Sequence, residues 1–305
     1  MQEDRTGNSW IQPWLVAIRP KTLPAALSPV MLGGALAFSI GQFCFWAWAA
    51  ALFIALLLQI AANLVNDVVD FSRGTDTPAR TGPTRVTEHG LLTDRQVWLG
   101  VWVVFGLAAA AGGYLIWLGG WPVVVLGAAA MLAALAYTAG PFPLAYHGLG
   151  DLFVLIFFGY AAVCGTVFVM VGSVPEAAWY CGTAAGALTV NILVVNNIRD
   201  MDSDRIAGRK NIPIVFGRGA AEWEYGLMLA AAYLVPLILV IQGKASMWGM
   251  LSWLSLPAGV KLWREIRSDI HGPALNPFLG KTAQHLLIYC VLFAVGLVIG
   301  GVAGG

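Results

Sequence analysis

Asn63, Asn66, Asp67 and Asp70 stand at i, i+3, i+4 and i+7, a spacing that gathers them on one face of a helix. Asn196, Asn197, Asp200 and Asp204 stand at i, i+1, i+4 and i+8, again largely one stripe, with Asp202 pointing elsewhere. Carboxylates four residues apart repel each other on an isolated helix, so something positive must offset them. Mg²⁺ meets that need, because it takes hard oxygen ligands and is commonly held by one or two carboxylates together with substrate phosphates and water. Cationic side chains follow each cluster: Arg73, Arg80 and Arg85 after the first, Arg205, Arg209 and Lys210 after the second. Guanidinium forks suit phosphate oxygens. Gly74, Gly82 and Pro83 suit a first loop that folds tightly over a bound head group. The chemistry indicated is the metal-assisted handling of a diphosphate.

The elements that must carry these groups are membrane helices. Of the 305 residues, 59% are hydrophobic and 11% charged, against roughly 25% charged in a soluble domain. The chain therefore reads as a polytopic, all-α membrane protein forming one domain over residues 1–305. At ~20 apolar residues per span, about nine segments emerge: 24–41, 45–66, 96–117, 121–138, 150–172, 177–198, 223–242, 246–262 and 283–302. Pro257 breaks the eighth. The segments 67–95 and 199–222 are the expected cap loops. The 36 glycines suit close helix packing. Cys44, Cys164, Cys181 and Cys290 are scattered through apolar segments, without the pairing of a metal site or disulfide frame. Residues 1–10 are polar and carry no apolar signal core, so a cleaved signal peptide is not expected.

Charge sets the expected sidedness. On this segmentation 16 of the 17 basic residues fall on one side, with only Lys244 opposite. The positive-inside rule assigns that side to the cytoplasm of a bacterial inner membrane. Fifteen of the 16 carboxylates fall there too, with Glu176 the exception. Acidic residues contribute little to topology, so their accumulation calls for a functional cause, and each acidic stretch begins where an apolar helix ends. Net charge is +1, so nothing points to nucleic acid. The partners expected are the lipid bilayer and an anionic head group.

Several strings then resemble one family. Asn66-Asp67-Val68-Val69-Asp70 and Asp200-Met201-Asp202-Ser203-Asp204 resemble the two acidic motifs of the UbiA superfamily of intramembrane aromatic prenyltransferases. The stretch Trp14 to Pro24 with Arg19-Pro20-Lys21, the loop Gly74-Thr75-Asp76 with Arg80 to Arg85, the string Tyr137-Thr138-Ala139-Gly140-Pro141 continuing to Asp151, and Lys281-Thr282-Ala283 are similar to its menaquinone-pathway branch. The displaced third acid, Asp76, is the most discriminating of these features. The likeness covers nearly the whole chain.

The resemblance implies a helical bundle around a central cavity that is open to lipid and capped by the two loops. It further implies transfer of a polyprenyl group from its diphosphate to 1,4-dihydroxy-2-naphthoate, with loss of CO₂, giving demethylmenaquinol. Two Mg²⁺ ions would be held by Asn66, Asp67 and Asp70 and by Asp200 and Asp204, with Asp76 and Asn63 completing the shells. Arg80, Arg85, Arg209, Lys210 and Lys21 would bind diphosphate. Tyr137, Tyr146, Phe142, Phe157 and Phe158 are aromatic candidates for holding the allylic cation. Asp151 either orients the acceptor or caps the fifth helix. His89 and His147 are loop bases in principle, whereas His285 suits packing and His271 suits solvent. Other acceptors, such as 4-hydroxybenzoate or homogentisate, fit the same superfamily. A secondary transporter fits less well, since such proteins place their charges near the bilayer midplane.

Overall fold

The computed structural model describes residues 10–72 and 85–304. Helices α1 (Ile11–Ile18) and α2 (Pro24–Ser39) flank a 3₁₀ turn at Pro20–Thr22, and α3 is Phe45–Ser72. They are followed by α4 (Asp94–Gly119), α5 (Trp121–Ala136), α6 (Gly150–Val171) and α7 (Glu176–Arg199). Two short cap helices, α8 (Met201–Ile206) and α9 (Ile212–Phe216), precede α10 (Arg218–Ile241). A 3₁₀ segment, Met247–Ser255, leads into α11 (Leu256–Ile266), and α12 is Asn276–Gly304. Among the described residues there is no strand.

Every expected span is helical in its core, but the count of nine is not reproduced. Among the described residues six helices are long and apolar enough to cross a membrane, and a seventh follows if the pair Ile11–Thr22 and Pro24–Ser39, bent by 53°, is one span. Helix α5 has 16 residues, or about 24 Å, short of a ~30 Å hydrocarbon core. The 246–262 segment is a nine-residue 3₁₀ stretch that turns into an α-helix at Leu256-Pro257. Boundaries shift for local reasons. Helix α4 starts at Asp94 because Thr93 and Gln96 form a capping box. Helix α3 runs on to Ser72, so the expected cap segment 67–95 begins with the last turns of a helix, which carry Asp67 and Asp70.

The packing forms three apolar cores, the smallest of which joins α7, α10, α11 and α12 through Val194, Tyr225 and Ile266. Another joins α1, α3 and α4 through Leu64, Val68, Val97 and Val101. The third joins α2, α6, α7, α10 and α12 through Leu32, Leu188, Tyr289 and Phe293. Helix α7 is central, with 72% of its apolar window buried against 22% for α4, which faces outward. Glu176 and Lys244 meet at 2.5 Å, so the two charges expected on the outer side do share one end of the bundle.

Within α6, residues Leu155–Ala161 form a π-helical turn, a local irregularity found often at functional sites. Gly159 is packed there against α7: a Cβ would lie 2.5 Å from the Gly182 carbonyl oxygen and 2.9 Å from Gly186 Cα. Backbone cannot swing away as a side chain can. Gly159→Val should therefore destabilise the bundle by about 1–3 kcal/mol, read as a lowered unfolding temperature of the detergent-solubilised protein.

Candidate functional site

The end of α3 supplies the first half of the site. Asn66 and Asp70 face a polar cavity of about 700 Å³. Asp67, one residue round the helix, does not line it. Its carboxylate is fully buried and accepts hydrogen bonds from Val86 N at 3.1 Å, Thr87 N at 3.1 Å and Thr87 Oγ1 at 2.6 Å. Asp67 thus anchors the chain at Val86 and Thr87. The anchored segment delivers Arg85, whose guanidinium pairs with Asp70. Asn66 Oδ1 accepts from the Thr138 hydroxyl at 2.7 Å.

Asn63 lies on the cavity wall, but its side-chain amide donates to Ile18 O at 2.8 Å and to Thr22 Oγ1 at 3.0 Å. It latches the break between α1 and α2. Arg19 sits in that break with φ 54 and ψ 69, a left-handed conformation that costs a non-glycine residue roughly 1–2 kcal/mol. Arg19 and Lys21 both reach the cavity wall from this turn.

The second half comes from the end of α7. Arg199 Nε donates to Asp200 Oδ1 at 2.7 Å, and its Nη2 reaches both Asp200 Oδ2 and Asn196 Oδ1. Its Nη1 donates to Asn276 at the start of α12, 3.2 Å away. One turn further on, Asp204 accepts from Asn211 Nδ2 at 3.1 Å and pairs with Arg209 at 3.3 Å. Arg209 also donates to Asp70 Oδ1 at 2.9 Å, so one guanidinium spans both acidic motifs. The Tyr146 ring supports it, 4.8 Å from the guanidinium carbon. Burial pushes the Asp204 carboxyl up to about 6, with Arg209 opposing the shift and Asp200 and Asp70 adding to it. For Arg209, burial works to lower the pKa, but the negative charges of Asp70 and Asp204 outweigh it and hold the group well above its usual value.

Among the described residues the cavity wall carries six cations (Arg19, Lys21, Arg85, Arg199, Arg209, Lys210) and four carboxylates (Asp70, Asp151, Asp200, Asp204). The excess is positive, which suits a multiply charged anion. Among the described residues no three His, Cys, Asp or Glu side chains form a metal-holding group, because the motif carboxylates are turned into arginines. The donors facing the cavity are nonetheless all hard oxygens: Asp70, Asp200, Asp204 and the amides of Asn66, Asn196 and Asn197. Such a set fits Mg²⁺ held jointly with substrate phosphates in place of an all-protein cage.

Tyr137 lines this cavity and a second, apolar one of about 550 Å³. Gln59, Asn63, Asn66, Val154 and Phe158 are likewise common to both. Phe153 and Phe157 stack with centroids 5.8 Å apart on the apolar wall. Phe142 is exposed and stacked on His147, and it lines neither cavity. Asp151 is the second residue of α6 and faces the polar cavity; Leu149 holds the cap position with no side-chain bond, so the capping reading of Asp151 is not met. Asp76 and Arg80 lie outside the described residues. Arg199, Asn276 and Thr138 join the site without having been singled out. Its place directly before Asp200 was the signal in the sequence that could have raised Arg199.

A polar, net-positive cavity that shares its walls with an apolar one inside a helical membrane bundle suits an amphiphile with an anionic head and a hydrocarbon tail. The chain belongs to the UbiA prenyltransferase family, whose model matches residues 26–274. It is 33% identical to the 1,4-dihydroxy-2-naphthoate octaprenyltransferase of Escherichia coli (strain K12), covering 94% of this chain and 95% of that protein. The protein of the same name from Mycobacterium tuberculosis is 32% identical, covering 94% and 97%. Among solved structures, a UbiA homolog from Archaeoglobus fulgidus bound to DMAPP and Mg²⁺ superposes with a TM-score of 0.65 at 16% identity, covering 93% of this chain and all of that one.

Removing Arg209 would leave Asp70 and Asp204 facing each other without their shared cation. Arg209→Met should cost about 3–5 kcal/mol of stability, measured by denaturation of the solubilised protein. Adding Asp204→Asn to that variant should recover part of the loss, because it removes one of the stranded charges.

Proposed function

We propose that the chain, a single membrane domain capped by residues 67–95 and 199–222, transfers a polyprenyl group from its diphosphate to 1,4-dihydroxy-2-naphthoate. The products are demethylmenaquinol, CO₂ and diphosphate. The observation that carries this reading is the continuity of the arginine–carboxylate cavity with the apolar tunnel through Tyr137, Asn63 and Asn66. The acceptor is supported by the names of the bacterial relatives, which match over almost the full length of both chains. We place the site at the cytoplasmic face of a bacterial inner membrane, in keeping with the distribution of lysine and arginine.

In this reading Arg85, Arg209 and Lys210 hold the diphosphate, with Lys21 and Arg19 closing the opposite wall. Their charges stabilise the negative charge that grows on the leaving group as the allylic C–O bond breaks. Asp70 and Asn66 from the first motif, and Asp200 and Asp204 from the second, would hold two Mg²⁺ ions, with Asp76 assigned to the same shell. When bound, Mg²⁺ neutralises the leaving diphosphate and lowers the barrier to its departure. Asp67 acts one step back, by fixing the segment that carries Arg85. Tyr137, Phe157 and Phe158 shield the allylic carbon from water and offer ring faces to its charge. Tyr146 keeps Arg209 in place, and Asp151 orients the acceptor beside Tyr137.

The bond changes balance without an added reagent. The electron pair of the allylic C–O bond leaves on the diphosphate, a new C–C bond forms to the ring, and the acceptor carboxylate departs as CO₂. No net proton is released.

Purified protein supplied with Mg²⁺, farnesyl diphosphate and 1,4-dihydroxy-2-naphthoate should give a prenylated, decarboxylated product by mass spectrometry. Asp70→Asn and Asp200→Asn should each lower turnover by about 10²-fold or more. Chelation should abolish turnover and Mg²⁺ should restore it. A product that keeps its carboxyl group, or an acceptor preference for 4-hydroxybenzoate, would overturn the naphthoate assignment.

A further inference from the structure

The apolar cavity follows one face of α3 from Asn66 to Ala51. Fifteen residues of helix correspond to roughly 22 Å, so the cavity runs from the head-group site toward the far end of the bundle. Its far wall is the hairpin of α4 and α5, which turns at Gly120. Gly112 precedes that turn by eight residues and Gly127 follows it by seven, so the two lie at nearly the same depth on neighbouring antiparallel helices. Both line the cavity, and a Cβ built on either meets no atom within 4 Å. Gly165 also lines the cavity, but a Cβ there would sit 2.6 Å from Leu126, so that position is already filled by packing. Packing does not explain Gly112 and Gly127. Along α5, Gly127 is ten residues from Tyr137, or about 15 Å below the head-group site.

We infer that Gly112 and Gly127 are specificity-determining residues: their missing side chains keep the tunnel open at this depth and so set the length of prenyl tail the chain accepts. This rests on the prenyl-transfer reading above. Helix α5 has no buried residue along its length, so it is a thin wall between tunnel and surroundings. A leucine on this wall or on the facing turn of α4 projects into the tunnel without having to displace a packed neighbour. A tail that stops above this level is unaffected, whereas a longer one meets the new side chain. A hydrophobic pocket discriminates by about 10-fold or more for each methylene it can no longer take.

The test uses the full chain with Mg²⁺ and 1,4-dihydroxy-2-naphthoate, comparing geranyl, farnesyl and octaprenyl diphosphates. Gly112→Leu and Gly127→Leu should each lower the octaprenyl-to-geranyl ratio of kcat/KM at least tenfold, and Gly127→Ala and Gly127→Val should fall in between. Gly113→Leu is the control, since Gly113 is exposed, lines no cavity and has open space at its Cβ. An unchanged ratio in folded Gly112 and Gly127 variants, or an equal change in the control, would overturn the inference. Stabilisation against heating by each diphosphate, with no acceptor present, separates this result from a failure of the functional reading. If the wild type turns over no prenyl donor, the functional reading fails, and the inference still stands or falls on whether Gly127→Leu loses the extra stabilisation given by octaprenyl over geranyl diphosphate.

Discussion

A single guanidinium holds the two halves of this site together. Arg209 reaches Asp70 at the end of α3 and Asp204 in the second cap, two carboxylates that would otherwise repel across a poorly solvated cavity. Much of the surrounding structure positions that group. Tyr146 lies under its plane, and Asn211 fixes the far side of Asp204. Asp67 secures the returning loop so that Arg85 takes the other side of Asp70. Arg199, tied to α12 through Asn276, does the equivalent for Asp200. The acidic motifs are thus organised by arginines. On the proposed reading a diphosphate competes for the same guanidinium forks, and each fork it takes leaves a carboxylate oxygen available to the metal that accompanies it.

That lattice of charges is tolerable only because of where the bundle places it. The polar groups gather at the ends of α3 and α7, and the long apolar stretches of those helices are spent on the cores. Close approach of α6 to α7 at Gly159, within the π-helical turn, accompanies the placing of Phe157 and Phe158 on the wall of the apolar cavity. Charge at the top and hydrocarbon below therefore share walls, and an amphiphilic substrate can satisfy both without exposing either to the wrong surroundings.

Much of this was readable from residue spacing, and the misreadings have a common physical source. Helical periodicity placed Asn66 and Asp70, and Asp200 and Asp204, correctly toward one cavity. It grouped Asp67 with them because a stripe of four residues is wider than the face that lines the cavity. Which edge of the stripe meets the ligand and which meets a neighbouring loop is decided by tertiary packing. Arg199 was missed because adjacent residues diverge on a helix, yet α7 ends there and the chain turns, so Arg199 folds back onto Asp200. Asn276 stands 77 residues from its partner Arg199, and no local pattern announces it. The count of nine spans is not reproduced where hydropathy is continuous but backbone geometry is not: α5 ends at Ala136, and Met247–Ser255 winds as a 3₁₀ helix.

The break at Arg19 shows how far the site's demands reach into the scaffold. A continuous helix from Ile11 to Ser39 would be the cheaper path for an apolar chain, since every backbone group would then be satisfied internally. The chain breaks instead at Arg19, in a left-handed conformation, and Pro20 prevents the helix from resuming in register. The groups freed by the break are met from α3: Asn63 donates to the Ile18 carbonyl, and both Gln59 and Asn63 donate to the Thr22 hydroxyl. The two amides are one turn apart on the same helix that ends in Asp70. The strain at Arg19 is therefore held by the element that carries the first acidic motif, and the return is two cations, Arg19 and Lys21, on a wall of the same cavity. Helix α3 shapes the cavity twice, through the carboxylate at its end and through the amides that hold the turn carrying Arg19 and Lys21.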